Sequence, residues 1–290
     1  MDIKVLNMGE NKLEFVIDKV NPAFANSLRR VLLSDIPKMA IEDVEFHLGS
    51  IRDEDGKEYE SISPLFDEIV AHRLGMLPIP TDLSLYTPQE DCDCGGEGCP
   101  NCTIMYTLNK KGPCTVYSGD LEPLGDRTLS IKEDLIPIVK LSKRQALLIY
   151  ATAVLGTGRK HAKWQVVTSC GYKYHPTVEV NKEECDLCGL CASSCPKSIL
   201  TYENGKLKIE KDKVIECNLC HACVEACLQG TREDASSKDK TPITIKGDDT
   251  KFVFTFETDG AISAKDTLDK AIDILEGKFT TFRDQISDLE

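Results

Sequence analysis

Apolar and polar positions alternate at Ile3 and Val5 and again at Leu13, Phe15 and Ile17, with Met8-Gly9-Glu10-Asn11 between the two runs. This pattern predicts a β-hairpin with one buried face. A helix is predicted directly after it. Asn21 is a capping residue, Pro22 suits a first turn, Phe24, Leu28, Val31 and Leu32 recur at helical spacing, and Pro37 ends the run. Near the other end, Ile243 and Ile245, then Phe252, Phe254 and Phe256, alternate as strands do, and a long helix is predicted from about Ser263. On that helix Leu268, Ile272, Leu275, Phe279, Phe282, Ile286 and Leu289 advance in steps of 4, 3, 4, 3, 4 and 3. That is a sustained heptad seam, which packs either on the chain's own sheet or on a partner helix. Its extension to the last residues favours a partner, and so a helix-mediated dimer.

The two ends therefore read as halves of one discontinuous α+β dimerisation domain, residues 1–44 and 236–290. Residues 45–168 read as an inserted mixed domain, with strand-like Val44 to Leu48, an Asp55-Gly56 turn, a four-cysteine loop and a helix-prone stretch from Ser142 to Leu155. Residues 169–235 form a second, cysteine-rich insertion, and Thr231 to Lys240, rich in charge and serine, reads as a linker back to the outer domain.

With 290 residues and 41% apolar content, the chain can fill more than one core. Its apolar runs are short and interrupted by charge, and Met1 to Lys12 has no basic region followed by an apolar stretch. No membrane span or secretory leader is expected, which points to the cytoplasm. A net charge of −13 repels a phosphate backbone, so contact with DNA is expected only through partners.

The 14 cysteines change the picture most. Four lie in Cys92 to Cys102 and eight in Cys185 to Cys227; Cys114 and Cys170 stand apart and read as buried or incidental thiols. Clustering of this kind in an intracellular chain points to metal rather than disulfides. Cys185, Cys188, Cys191 and Cys195, followed by Pro196, follow C-x2-C-x2-C-x3-C-P, and Cys217, Cys220, Cys223 and Cys227 repeat the spacing. In two-cluster ferredoxins the fourth cysteine of each run serves the other cluster. The expected sets are therefore Cys185, Cys188, Cys191 and Cys227 on one [4Fe-4S] cluster, and Cys217, Cys220, Cys223 and Cys195 on another.

Each run follows a β-prone stretch, Thr177 to Val180 and Lys213 to Ile215, and Glu203-Asn204-Gly205 reads as a turn between Ile199–Tyr202 and Lys206–Ile209. A ferredoxin-like (βαβ)2 unit is the expectation. Four-cysteine zinc sites also use C-x2-C pairs, but eight cysteines in this register are rare for zinc. Leu228 replaces the second proline, which would make the Cys227-dependent cluster the more labile, and His221 falls between two ligands as a loop residue.

In the loop Cys92, Cys94, Cys99 and Cys102, four thiols fall within eleven residues among glycines, which suits one Zn2+ in a closed structural site. Free or disulfide-prone cysteines are the alternative, since the opening C-x-C is tight for a zinc knuckle.

Asn21 to Ser34 resembles the dimerisation-helix signature of the bacterial RNA polymerase α subunit and its archaeal and eukaryotic counterparts. The resemblance continues through Asp67 to Pro78 and Gly158 to Trp164, and the four-cysteine loop is similar to that of the third subunit of eukaryotic RNA polymerase II. With the ferredoxin-like insertion, nearly the whole chain is similar to the D-type, α-like subunit family of archaeal RNA polymerase. Two intact cluster motifs look like those of anaerobic archaeal members.

The resemblance implies a heterodimer with the small α-like subunit L, made by the N-terminal helix and the heptad helix, on which the large catalytic subunits assemble. It places partner contacts at Phe24, Leu28, Arg29, Arg30 and Leu32, at Leu268, Ile272, Leu275, Phe279, Phe282 and Ile286, and at Lys160, His161 and Trp164. Each arginine taken singly also reads as part of a solvated basic face.

The chain has no Asp-x-Asp-x-Asp, GxxxxGK or HExxH motif, so it is expected to be a non-catalytic subunit of a nucleotidyltransferase complex. The alternatives are an electron-transfer ferredoxin module fused to a dimeric scaffold, and a structural zinc protein without a redox centre. The polymerase signatures outside the cysteine segments favour the assembly subunit.

Overall fold

A computed structural model describes residues 1–52, 56–229 and 241–287. The predicted linker at 231–240, the Asp55 half of the predicted turn and Leu289 of the heptad seam lie outside the described residues. The chain divides into two compact units, one of Met1–Asn7, Glu14–Asn26 and Gly171–Thr255, the other of Met8–Leu13, Ser27–Cys170 and Phe256–Glu290.

The predicted hairpin is β1 (Asp2–Met8) and β2 (Lys12–Asp18), closed by Gly9 N–H donating to the Lys12 carbonyl at 2.8 Å. Only β2 is buried. Ile3 and Val5 stay exposed because β1 is the edge of a four-stranded sheet. Helix α1 (Pro22–Ser34) starts where the sequence places it, with Asn21 Oδ1 accepting from Phe24 N–H at 2.8 Å.

A single β10 (Gln145–Thr157) occupies the stretch that reads as helix-prone from Ser142 to Leu155. Leucine and alanine favour a helix locally, but Leu147, Ile149, Ala151 and Ala153 present a buried face at strand period. Pairing decides the outcome. β3 (Pro37–Phe46) and β6 (Thr103–Lys111) both run antiparallel to β10 over nine residue pairs each. The same sheet holds β4 (Gly49–Arg52), β5 (Glu58–Ser61) and β8 (Glu122–Pro123), while β7 (Cys114–Tyr117) pairs with β9 (Pro137–Leu141). Helix α2 (Asp67–Gly75) contributes Val70 and Leu74 to this core.

β11 (Val167–Val180) leads into the cysteine-rich segment, where the order is α3 (Leu190–Ser193), β12 (Leu200–Glu203), β13 (Lys206–Ile209) and α4 (Ala222–Leu228). Then β14 (Ile243–Thr258) returns beside β11 in the four-stranded sheet, in the order β1-β2-β14-β11. Phe15 stacks on Phe254 at 5.4 Å, and Tyr172 packs on Phe252 and Phe254 at 5.6 and 5.2 Å.

Lys213 to Ile215 does not form the expected strand. It lies in a 3-10 turn, Lys211–Glu216, tied by Lys213 N–H to the Glu210 carbonyl at 2.9 Å. The pairing strand of that half is β13, held to β12 across the Glu203-Asn204-Gly205 turn.

Helix α5 (Ala264–Ser287) begins one residue after its cap: Ser263 Oγ accepts from Asp266 N–H at 3.1 Å and donates to its carboxylate at 2.6 Å. No helix of the described residues is long and apolar enough to cross a membrane.

Candidate metal centres and partner-facing surface

The four-cysteine loop closes between a short 3-10 turn, Gln89–Asp91, and the start of β6. Gly95, Gly96 and Gly98 have φ of +68°, +87° and +89°, a conformation that side chains rarely adopt, and so let the chain turn back within a few residues. The sulfurs of Cys92 and Cys99 are 3.6 Å apart, those of Cys94 and Cys102 3.7 Å, and those of Cys99 and Cys102 3.9 Å. Four thiolates about 2.3 Å from one tetrahedral ion would stand about 3.8 Å apart, whereas a disulfide requires about 2.0 Å. The loop therefore fits one metal ion and not a disulfide.

Its protonation is uneven. Backbone N–H groups, first that of Gly98, hold Cys94 down to about 6. A backbone bond at Cys94 draws Cys92 down, but the neighbouring Cys94 and Cys99 thiols outweigh it and push Cys92 up to about 12. Among the described residues this is the group of three or more candidate ligands whose atoms all lie within 4.8 Å of one another.

The eight other cysteines carry a repeat in the backbone as well as in the sequence. Leu187 and Leu219, each between the first and second cysteine of its run, have φ of 56° and 55°. Gly189 and His221, each between the second and third, have φ of 76° and 58° and cap α3 and α4. His221 thus occupies the repeat position that glycine fills in the first run.

Helices α3 and α4 pack together, and Cys191, Cys217, Cys223 and Cys227 are buried in one cluster with Ile199, Leu200, Ile243 and Ile245. Burial, then the charges of Cys227, Cys185 and Cys188, push the Cys191 thiol up to about 11. Burial, then Cys195 and in smaller part Cys217, do the same for Cys223. The thiols near Cys191 are the other three of the first expected set, and those near Cys223 belong to the second. Sequence reasoning passed over Lys173 on β11, whose Nζ donates to the Cys217 carbonyl at 3.2 Å and whose pKa is lowered by burial.

On the predicted partner surface, the structure separates two groups. Leu28 (3% exposed), Leu32 and Trp164 (2%) are core residues of this chain. Trp164 donates from Nε1 to the Val154 carbonyl at 3.0 Å and lies so close to Gly156 that a Cβ there would be 2.5 Å from its ring. Lys160 sits over that ring at 5.4 Å, and His161 meets it edge-on at 6.3 Å. Phe24 and Arg29 are half-buried and Arg30 is exposed.

Helix α5 buries Ala264, Thr267, Ala271 and Leu275, a row that shares only Leu275 with the heptad seam. Leu268 is half-buried, but Ile272 and Ile286 are 47% exposed, and Phe279 and Phe282 63%. Of these, Phe279 and Phe282 rim a groove of about 320 Å³ with Ser27, Arg30, Val31 and Arg159.

At the base of that groove stands Asp35, which sequence reasoning missed. Its carboxylate accepts from Arg159 Nη2 at 2.7 Å, from Ser34 Oγ at 2.7 Å and from Lys278 Nζ. Burial works to raise its pKa, yet the Lys278 and Arg159 bonds prevail and hold it at about 2. One carboxylate thereby fastens the end of α1, the loop before Trp164 and the middle of α5.

The family described as RNA polymerase Rpb3/Rpb11 dimerisation domain matches residues 14–279 of this chain. The DNA-directed RNA polymerase subunit Rpo3 of Picrophilus torridus is 41% identical over 286 residues, covering 99% of this chain and 100% of that protein. The Thermoplasma volcanium subunit Rpo3 is 41% identical over 288 residues, with the same coverage. That of Methanosarcina acetivorans is 38% identical over 279 residues, covering 96% of this chain and 95% of that protein.

Proposed function

The chain belongs to the RNA polymerase Rpb3/Rpb11 dimerisation family, in its archaeal Rpo3 branch, and from that premise we propose how it serves polymerase assembly. It is a non-catalytic assembly subunit of a DNA-directed RNA polymerase. It heterodimerises with the small α-like subunit L, and the pair is the platform on which the large catalytic subunits assemble; DNA is met only through the complex.

The observation that carries this reading is the bare row Ile272, Phe279, Phe282 and Ile286 on α5, beside a groove lined by α1 residues. Fully burying an apolar side chain of this size yields about 1.5–3 kcal/mol, so an α-like helix laid on this row supplies a dimerisation energy. Residues 1–44 and 236–290 are the dimerisation domain in this account, 45–168 the inserted mixed domain and 169–235 a ferredoxin-like domain. Cys92, Cys94, Cys99 and Cys102 would hold one Zn2+ as a structural site.

Cys185, Cys188, Cys191 and Cys227, and Cys217, Cys220, Cys223 and Cys195, would each hold a [4Fe-4S] cluster. The thiol neighbourhoods of Cys191 and Cys223 support this division. The clusters order their segment and make assembly responsive to oxygen or iron. Co-expression with a small α-like subunit tests the assembly role: a stable one-to-one complex is expected, and failure to bind any such partner would sink it.

A further inference from the structure

The two cysteine runs repeat in backbone, but the charges beside them differ. Each expected ligand set contains one exposed, one half-buried and two buried cysteines, so solvent access does not distinguish them. The second loop is held by a cation. Lys173 Nζ donates to the carbonyl of Cys217, and Leu219 packs with the buried cluster, its Cδ1 3.3 Å from where a Cβ at Gly247 would stand.

The first loop carries an anion instead. Asp186, which stands where the second run has Asn218, accepts from Cys188 N–H at 3.2 Å, and Leu187, the counterpart of Leu219, is exposed.

Reduction of a [4Fe-4S] cluster adds one electron and therefore one negative charge to the cluster and its thiolates. A nearby ammonium favours the reduced form and a nearby carboxylate opposes it, because cluster potentials respond to local charge and hydrogen bonding. We propose that Lys173 raises the reduction potential of the cluster on Cys217, Cys220, Cys223 and Cys195, while Asp186 lowers that of the cluster on Cys185, Cys188, Cys191 and Cys227. Neither residue is a ligand; both act on the site through the loops that carry ligands. Lys173 is half-buried and Asp186 exposed, so the lysine has the larger effect. This inference rests on the cluster assignment above.

The test is an anaerobic titration of the reconstituted full chain with dithionite, followed by electron paramagnetic resonance, after iron content has been measured. About eight irons per chain and two reduction waves are expected. Lys173→Met should lower one wave by about a tenfold change in its oxidised-to-reduced ratio, about 59 mV for one electron, and Lys173→Arg should restore it. Asp186→Asn should raise the other wave by less. Unmoved waves, or waves that move together in Lys173→Met, overturn the proposal. Should Lys173→Met lose iron, the surface variant Asp186→Asn decides: a fixed lower wave overturns it. A wild-type chain that binds no clusters overturns the cluster assignment itself, a result visible before any titration.

Discussion

The four-cysteine loop and the eight-cysteine segment differ in how far each completes itself within the chain. The loop brings its four candidate ligands from eleven consecutive residues, and three pairs of their sulfurs already stand 3.6 to 3.9 Å apart. In the proposed sets the segment draws on both runs, with the fourth ligand supplied by the other half, and four cysteines share its buried cluster with Ile199, Leu200, Ile243 and Ile245. A local site needs only a tight turn. An interleaved site of the proposed kind needs the fold of its whole segment, and ligation would in turn order that fold. The second half of α5 resembles the segment in this respect, since in the proposed heterodimer its exposed Ile272, Phe279, Phe282 and Ile286 would be completed from outside the chain.

The largest effect expected from this contrast comes from replacing the cysteines of both runs by serine. Metal–thiolate binding supplies roughly 10 kcal/mol to small metal-dependent folds, so residues 181–229 should lose protection from proteolysis and hydrogen exchange while the β10 sheet keeps it. Unchanged protection would make the clusters dispensable to folding. Cys94→Ser should be milder: one zinc ion is lost per chain, iron content stays the same, and exchange quickens only around the loop. If iron also fell, the two metal regions would not be independent.

A smaller and pH-dependent effect is expected at Asp35. Its carboxyl titrates near 2 in the folded chain and near 4 when unfolded, so it stabilises the fold fully above about pH 4, and that contribution is lost as pH falls towards 2. Asp35→Asn should therefore cost about 2 kcal/mol at pH 7 and almost nothing at pH 2, measured by denaturant unfolding across pH. A cost independent of pH would mean that the ion pairs with Arg159 and Lys278 are not what stabilises it. The smallest effect is at His221: giving its left-handed position the glycine of the first run should stabilise by up to about 1 kcal/mol, and a loss instead would show that the imidazole has a local role.

What was legible in the sequence was local. The Asn21 cap, the hairpin, the start of α5 and the spacing of both cysteine groups are set by residues close together in the chain. Ser142 to Leu155 misled because leucine and alanine speak for a helix, while the choice was made by β3 and β6 pairing on either side. The hairpin reading was half right: alternation marked both strands, but only β2 has a second strand against it and a buried face.

Asp35 could not be found by pattern at all, since Arg159 and Lys278 lie 124 and 243 positions away. Leu28, Leu32 and Trp164 belong to segments that read as partner-facing. Signature residues include those that build a surface as well as those that present it, and spacing alone does not separate the two.

The assembly role is tested most directly by sedimentation of the chain with a small α-like subunit, comparing wild type with a Phe279→Asp, Phe282→Asp double variant. Both phenylalanines are exposed, so the variant should fold with stability within about 0.5 kcal/mol of wild type. The account predicts a one-to-one complex for wild type and affinity at least a hundredfold weaker, about 3 kcal/mol, for the variant. Equal affinity for the two chains would contradict the claim that this face of α5 is where the subunits join.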